Sequence, residues 1–103
     1  MAYELKVSKK TEEQIEKCIA YLSQTLNNPK AASDILNEID SAYGVLQAIP
    51  KSFPYCASVY LKAKEFRRLK LQHHDYLIIF KVIENTVYVS GFFHVRENYR
   101  NKL

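Results

Sequence analysis

Cationic and aromatic side chains alternate with apolar ones in the last third of this 103-residue sequence. In an extended chain successive side chains point to opposite faces, so residues two apart share a face. Cations beside aromatic rings on a sheet are typical of surfaces that contact the phosphates and bases of nucleic acid. The pattern therefore predicts a phosphate-handling surface made of Arg68, Lys70, Lys81, Tyr88, Ser90, Phe92, His94 and Arg96.

The same stretch has the pattern of three antiparallel strands. Polar turns at 73–75 and 84–86 separate the runs Arg67–Leu71, Tyr76–Ile83 and Val87–Phe93, and these turns have the length of hairpin loops. The opposite face of the strands is apolar and needs a covering layer of helix. Its members are Leu69, Leu71, Ile78, Phe80, Val82, Val87, Val89 and Phe93.

The first half of the chain supplies that layer. Residues 3–8 alternate like a short strand that joins the sheet. Apolar residues then recur at helical spacing over 11–27 and 29–48, and Asn28 with Pro29 marks the start of the second helix. Because only two or three residues connect the helices, they must lie side by side as an antiparallel hairpin.

Two features of the sequence, one inside the second helix and one after it, depart from the regular pattern. Gly44 lies inside the second helix, where a close helix crossing would explain it. The segment 51–65 has no sustained period and contains Pro54, so it is expected to be a surface connection. The element order β-α-α-β-β-β predicts an α+β fold, with the helical hairpin packed on one face of a small, mainly antiparallel twisted sheet.

Length and composition limit the classes of protein. The chain is long enough for one domain, expected over 1–103, and its net charge of +4 with a pI of about 9.1 permits a nucleic-acid or acidic-protein partner. Cys18 and Cys56 have no metal-ligand or redox-motif spacing, so no metal and no cofactor are expected. Without an apolar leader or a membrane-length apolar run, the protein is expected to be soluble and cytoplasmic.

Several short motifs in this order resemble the RelE/ParE superfamily of bacterial type II toxins. They are NPxAA at the start of the second helix, RxLxL at 67–71, YLIIFKV at 76–82 and HVRE at 94–97. The resemblance covers nearly the whole chain and implies a RelE-like fold. It also implies a toxin held inactive by a cognate antitoxin, with which it forms a hetero-oligomer.

The superfamily divides by target. RelE-like members enter the ribosomal A site and cut mRNA by activating the ribose 2′-OH, whereas ParE-like members bind DNA gyrase and cut nothing. Arg68 and Lys70 match basic positions of the RNA-cleaving members, but Leu77 stands where RelE carries a catalytic Arg. The ending His94–Glu97 is closer to that of many ParE-like members.

RNA cleavage needs a base, an acid and cations that stabilise the charge on the phosphate. His94 is the candidate for proton transfer, Arg68 and Arg96 for holding the phosphate, and Tyr99 for stacking or proton donation. The candidate RNA-binding residues are Arg67, Lys70, Lys81 and Tyr88.

We therefore expect first a ribosome-dependent mRNA endonuclease whose Arg68, Lys70, His94 and Arg96 converge on one face of the sheet. Its partners would be the ribosome and mRNA. A noncatalytic DNA gyrase inhibitor is the alternative, and an inactivated toxin that only binds its antitoxin is a further one.

Overall fold

The computed structural model describes residues 2–103, so the first residue of the domain expected over 1–103 lies outside the described residues. A π-helical turn, Tyr21–Thr25, extends the first helix, and 3-10 turns lie at Pro50–Ser52 and Tyr99–Lys102. No helix within residues 2–103 is long and apolar enough to cross a membrane. In chain order the main elements are β1 Glu4–Val7, α1 Lys9–Ala20, α2 Pro29–Ala48, α3 Val59–Ala63, β2 Arg67–Lys70, β3 Tyr76–Ile83 and β4 Thr86–His94.

Side-chain caps set the start of both long helices. The hydroxyl of Ser8 accepts a hydrogen bond from the Thr11 N–H at 3.1 Å, so α1 begins at Lys9, earlier than its pattern of apolar residues suggests. The side-chain oxygen of Asn28 accepts from the Ala31 N–H at 3.1 Å, and Pro29 occupies the first helical position as predicted.

The four strands form one sheet in the order β1-β4-β3-β2. β1 pairs in parallel with β4, and the two other pairs are antiparallel, which confirms the mainly antiparallel sheet. The helical hairpin covers one face, called here the helix face, and this confirms the predicted α+β fold. Buried residues of that core include Ile35, Ile39, Leu46, Ile78, Phe80, Val87 and Val89.

A β-bulge in β4 changes which residues share a face. Phe80 lies opposite Val89 but its neighbour Ile79 lies opposite Gly91, so Ser90 is an extra residue without a counterpart on β3. One extra residue inverts the alternation of the strand beyond it. The helix-face core consequently takes Phe92 instead of Phe93.

Two predictions about this strand are therefore wrong. Phe92 was expected on the basic face, but it is only 4% exposed and packs in the core beneath the helices. Its backbone N–H donates to the side-chain oxygen of Gln14 on α1 at 2.9 Å. Phe93 was expected under the helices, but it lies in a second apolar cluster on the opposite face.

This opposite face, called here the second face, is covered over part of its area. The segment expected to be a plain surface connection contains α3, whose Leu61 is 1% exposed. The ring of Tyr99 stacks on that of Phe93 with the centroids 5.4 Å apart, so the C-terminal turn adds a further layer. The buried members of the cluster are Cys56, Leu61, Leu77, Ile79 and Phe93.

The two glycines of the chain have opposite surroundings. Within residues 2–103 a Cβ at Gly44 would have no atom within 4 Å, so the close helix crossing expected there is wrong. A Cβ at Gly91 would overlap the ring of Phe93 and lie 3.2 Å from a methyl group of Leu103. Gly91 therefore leaves the space into which the Phe93 ring packs.

We predict that Gly44→Ala raises the free energy of unfolding by about 0.5–1 kcal/mol, because alanine loses less backbone entropy in an open helical position. Gly91→Ala should instead lower it by about 1–3 kcal/mol through overpacking against a buried ring. Urea unfolding followed by circular dichroism measures both changes. A Gly91→Ala protein as stable as the parent would contradict the packing of Phe93 over Gly91.

Candidate functional site

Arg68 and Tyr99 are brought together on the second face, beneath the C-terminal turn. The Nε of Arg68 is buried and has no hydrogen-bond partner within residues 2–103. Burial raises the pKa of Tyr99, the nearby Cys56 adds to the rise, and the charge of Arg68 opposes it. The same charge lowers the pKa of Cys56 against the larger effect of burial, which raises it. This arginine therefore lies within a partly apolar layer and is not freely presented to solvent.

His94 lies on the helix face because it follows the bulge. Its ring meets the ring of Tyr76 edge-on at 5.3 Å, and Tyr76 in turn stacks on Phe92 at 4.9 Å. The Nδ1 of His94 accepts a hydrogen bond from the Arg96 N–H at 3.1 Å. With Nδ1 used as an acceptor, the neutral ring carries its proton on Nε2.

The turn after β4 holds His94 and Arg96 near each other. The backbone N–H of His94 donates to a carboxylate oxygen of Glu97 at 3.2 Å, and Lys102 bonds the other oxygen at 2.8 Å. Burial raises the pKa of Glu97, but the hydrogen bonds from Lys102 and His94 outweigh it, so the pKa lies below its usual value. Arg96 is exposed in this turn.

The predicted convergence of Arg68, Lys70, His94 and Arg96 on one face is wrong in this fold. Arg68 and Lys70 pair with Ile79 and Leu77, two residues whose side chains belong to the second face. His94 pairs with Tyr76, whose ring packs against the core of the helix face. The bulge is the physical reason, because the prediction assumed unbroken alternation along β4.

Arg67 and Lys70 both have structural contacts. The guanidinium of Arg67 donates to the carbonyl oxygen of Phe53 at 2.7 Å and to the hydroxyl of Tyr55 at 3.0 Å, and it lies 4.1 Å from the Tyr55 ring centroid. The ammonium of Lys70 donates to the Leu71 carbonyl at 3.0 Å. Arg67 thus fixes the segment before α3, and Lys70 is held at the turn between β2 and β3.

Lys81 and Tyr88 lie on the part of the second face that the C-terminal turn and α3 leave open. They are directly opposite each other in the β3–β4 ladder, and Lys6 of β1 is opposite Tyr88 on its other side. The alternation before the bulge was therefore predicted correctly for Lys81 and Tyr88. Lys6 was missed, and only the parallel pairing of β1 with β4 reveals it.

A groove of about 400 Å³ lies between α2 and the edge strand β2. Its lining combines apolar side chains in the middle with polar ones at the end near the β2–β3 turn. The residues that line it are Asn37, Glu38, Ser41, Ala42, Val45, Phe53, Leu69, Lys70, Leu71, Gln72 and His73.

Glu38 closes one end of this groove by binding the β2–β3 turn. Its carboxylate accepts hydrogen bonds from the backbone N–H of Gln72 at 2.9 Å and of His73 at 3.2 Å, and it contacts Nδ1 of His74 at 2.6 Å. Burial raises the pKa of Glu38, but these bonds outweigh it and hold the pKa below its usual value. The sequence offered no signal for this contact, because the partners are more than thirty positions apart.

The fold is similar to that of a solved structure, the chromosomal ParDE TA system from P. aeruginosa. The two chains are 17% identical, with a TM-score of 0.75 over 92% of this chain and 98% of that one. This likeness shows that the two chains share a fold, in agreement with the predicted α+β architecture.

The family follows from the sequence match. The family model for the ParE toxin of the type II toxin–antitoxin system parDE matches residues 5–99. The chain therefore belongs to the ParE toxin family. No curated protein sequence matches it.

Proposed function

We propose that this protein is a toxin that inhibits DNA gyrase and cuts no nucleic acid. The observation that carries the proposal is the match to the ParE toxin family over residues 5–99. ParE-like members of the superfamily act by binding gyrase, and this target implies a cytoplasmic location. Within the chain, the His94–Glu97 ending supports the same assignment.

The positions of the candidate catalytic residues support a noncatalytic mode of action. A group that transfers a proton and a cation that stabilises the phosphate must surround the same reacting atoms. Here His94 belongs to the helix face, and Arg68 lies beneath the C-terminal turn on the second face. Leu77, at the position of the RelE catalytic Arg, is 6% exposed and packs in the second cluster. Ribosome-dependent mRNA cleavage is therefore the weaker alternative.

We expect the purified toxin to block supercoiling of relaxed plasmid by gyrase when it is present at about the concentration of the enzyme. Prior mixing with its antitoxin should restore supercoiling, which controls for nonspecific effects of a basic protein. Unchanged supercoiling together with cut mRNA in translating ribosomes would favour the endonuclease. Unchanged supercoiling together with intact mRNA would favour a module that only binds an antitoxin.

We also propose that the antitoxin places an extended segment in the groove between α2 and β2. Residues 54–56 pair with the outer edge of β2 around Arg67. Toward Lys70 no named strand within residues 2–103 pairs with this edge, and an extended peptide can add there while its side chains enter the adjoining groove. Apolar lining residues such as Val45, Leu69 and Leu71 would receive these side chains. An acidic antitoxin would also be attracted by the net positive charge of the chain.

The test uses two exposed positions on the same helix. Val45 lines the groove and is 40% exposed, whereas Leu36 is 41% exposed and does not line it. Val45→Asp should weaken antitoxin binding about 10-fold or more, as for a central contact of an interface. Leu36→Asp, which adds the same charge, should change it little. Calorimetry measures both affinities, and equal losses would exclude the groove as the binding site.

Electrostatic steering gives a second readout of the same complex. If an acidic antitoxin approaches a basic toxin surface, the association rate should fall as salt is added. An association rate that does not depend on salt would show that charge does not guide the encounter.

A further inference from the structure

Three residues form a continuous row across the open part of the second face. Lys6 on β1, Tyr88 on β4 and Lys81 on β3 are register partners on three adjacent strands. Tyr88 is 37% exposed, and Lys6 is exposed as well. The row thus presents an aromatic ring with a lysine on the neighbouring strand on each side.

No carboxylate within residues 2–103 neutralises the two lysines. Within residues 2–103 neither Lys6 nor Lys81 forms an ion pair. The ammonium of Lys81 lies over the ring of Phe66, 4.4 Å from its centroid, on the β2 side of β3, and this contact leaves its charge without a carboxylate partner. The one carboxylate near the row on β1 is Glu4, which belongs to the next row with Thr86. The row itself is therefore purely cationic.

The charge of the whole chain is also divided between its two layers. Residues 9–48, which form the helical hairpin, contain six acidic and four basic residues. The rest of the chain, with the sheet and both coverings of the second face, contains eleven basic and five acidic residues. A polyanion is therefore attracted toward the sheet side and repelled from the hairpin.

We propose that the row Lys6–Tyr88–Lys81 binds a single strand of nucleic acid. One base stacks on the ring of Tyr88, and the two lysines contact the phosphates on either side of it. The strands of Lys6 and Lys81 lie roughly 10 Å apart, twice the spacing of neighbouring strands, and both side chains are long enough to reach inward. DNA and RNA share this chemistry, since every base has a flat face.

An acidic protein segment fits the row less well than a nucleic acid. The row lies on an open sheet surface, and the groove between α2 and β2 described above does not include Tyr88. A flat aromatic ring between two cations matches a base between two phosphates. This site is separate from the antitoxin groove, and its test needs no gyrase, so failure here leaves the proposal of gyrase inhibition unchanged.

The test is fluorescence anisotropy with single-stranded DNA and RNA of about 10 nucleotides and with the corresponding duplex DNA. Tyr88→Ala should weaken single-strand binding about 5- to 100-fold, whereas Tyr88→Phe, which retains the flat ring, should bind like the parent. The double variant Lys6→Gln/Lys81→Gln should also reduce the slope of log affinity against log salt by about 0.7 for each lysine removed.

The double variant Lys17→Gln/Lys30→Gln is the matched control, because it removes the same charge from exposed positions on the helical hairpin. It should keep the affinity and the salt dependence of the parent. If the parent binds either DNA or RNA more tightly and Tyr88→Ala weakens that binding, the result supports the row as the binding site. The nucleic acid that binds more tightly is then the natural one.

Three results would overturn the proposal. The first is no single-strand binding at low salt. The second is an equal loss of affinity in the control and row variants, which would mean that net charge alone attracts the nucleic acid. The third is an unchanged affinity for nucleic acid in the row variants together with weaker binding of antitoxin or gyrase, which would make the row a protein-binding surface.

Discussion

Strand β4 carries one residue more than the part of β3 with which it pairs, and this constraint determines which side chains can meet. Before Ser90 the strand places Val87 and Val89 under the helices and Tyr88 on the second face. After Ser90 the assignment is reversed, so Phe92 enters the core of the helix face and Phe93 leaves it. The first half of β4 is therefore covered on the helix face, whereas the second half is covered on both faces.

The reversal also creates the second cluster and its covering. Phe93 needs a partner on the second face, and the stacked ring of Tyr99 provides it from the C-terminal turn. The absence of a side chain at Gly91 leaves space for the Phe93 ring. The turn is further held by the Lys102–Glu97 ion pair and by a hydrogen bond from Lys10 of α1 to the Lys102 carbonyl. Arg68 is half-buried as a consequence, whereas the row around Tyr88 stays open.

Much of the fold follows from the sequence, because helices and strands with one buried side have a regular period. The hairpin, the three-strand meander and the first strand were predicted on that basis, and the positions of Lys81 and Tyr88 were correct because the alternation holds there. It fails at Ser90 because a bulge adds a residue without changing residue types. α3 was missed because a helix of five residues is too short to show a period.

The candidate site was harder to predict than the fold. Some contacts, such as that between the Glu38 carboxylate and the turn at 72–74, join residues that are distant in sequence, and no local sequence pattern indicates them. Lys6 joins the row of Tyr88 only because β1 is parallel to β4, and its register cannot be derived from β1 alone. The motifs indicated the superfamily correctly but left its two kinds of target open, and the family match then favoured ParE.

We propose that this fold carries no RNA-cleaving site that depends on His94. The most direct measurement is growth after induction of the His94→Ala protein, with its melting temperature and antitoxin binding measured in parallel. We expect growth arrest equal to that of the parent, because a toxin that only binds gyrase needs no proton transfer from this ring. A folded His94→Ala protein that still binds antitoxin but no longer arrests growth, while the parent cuts mRNA, would contradict it.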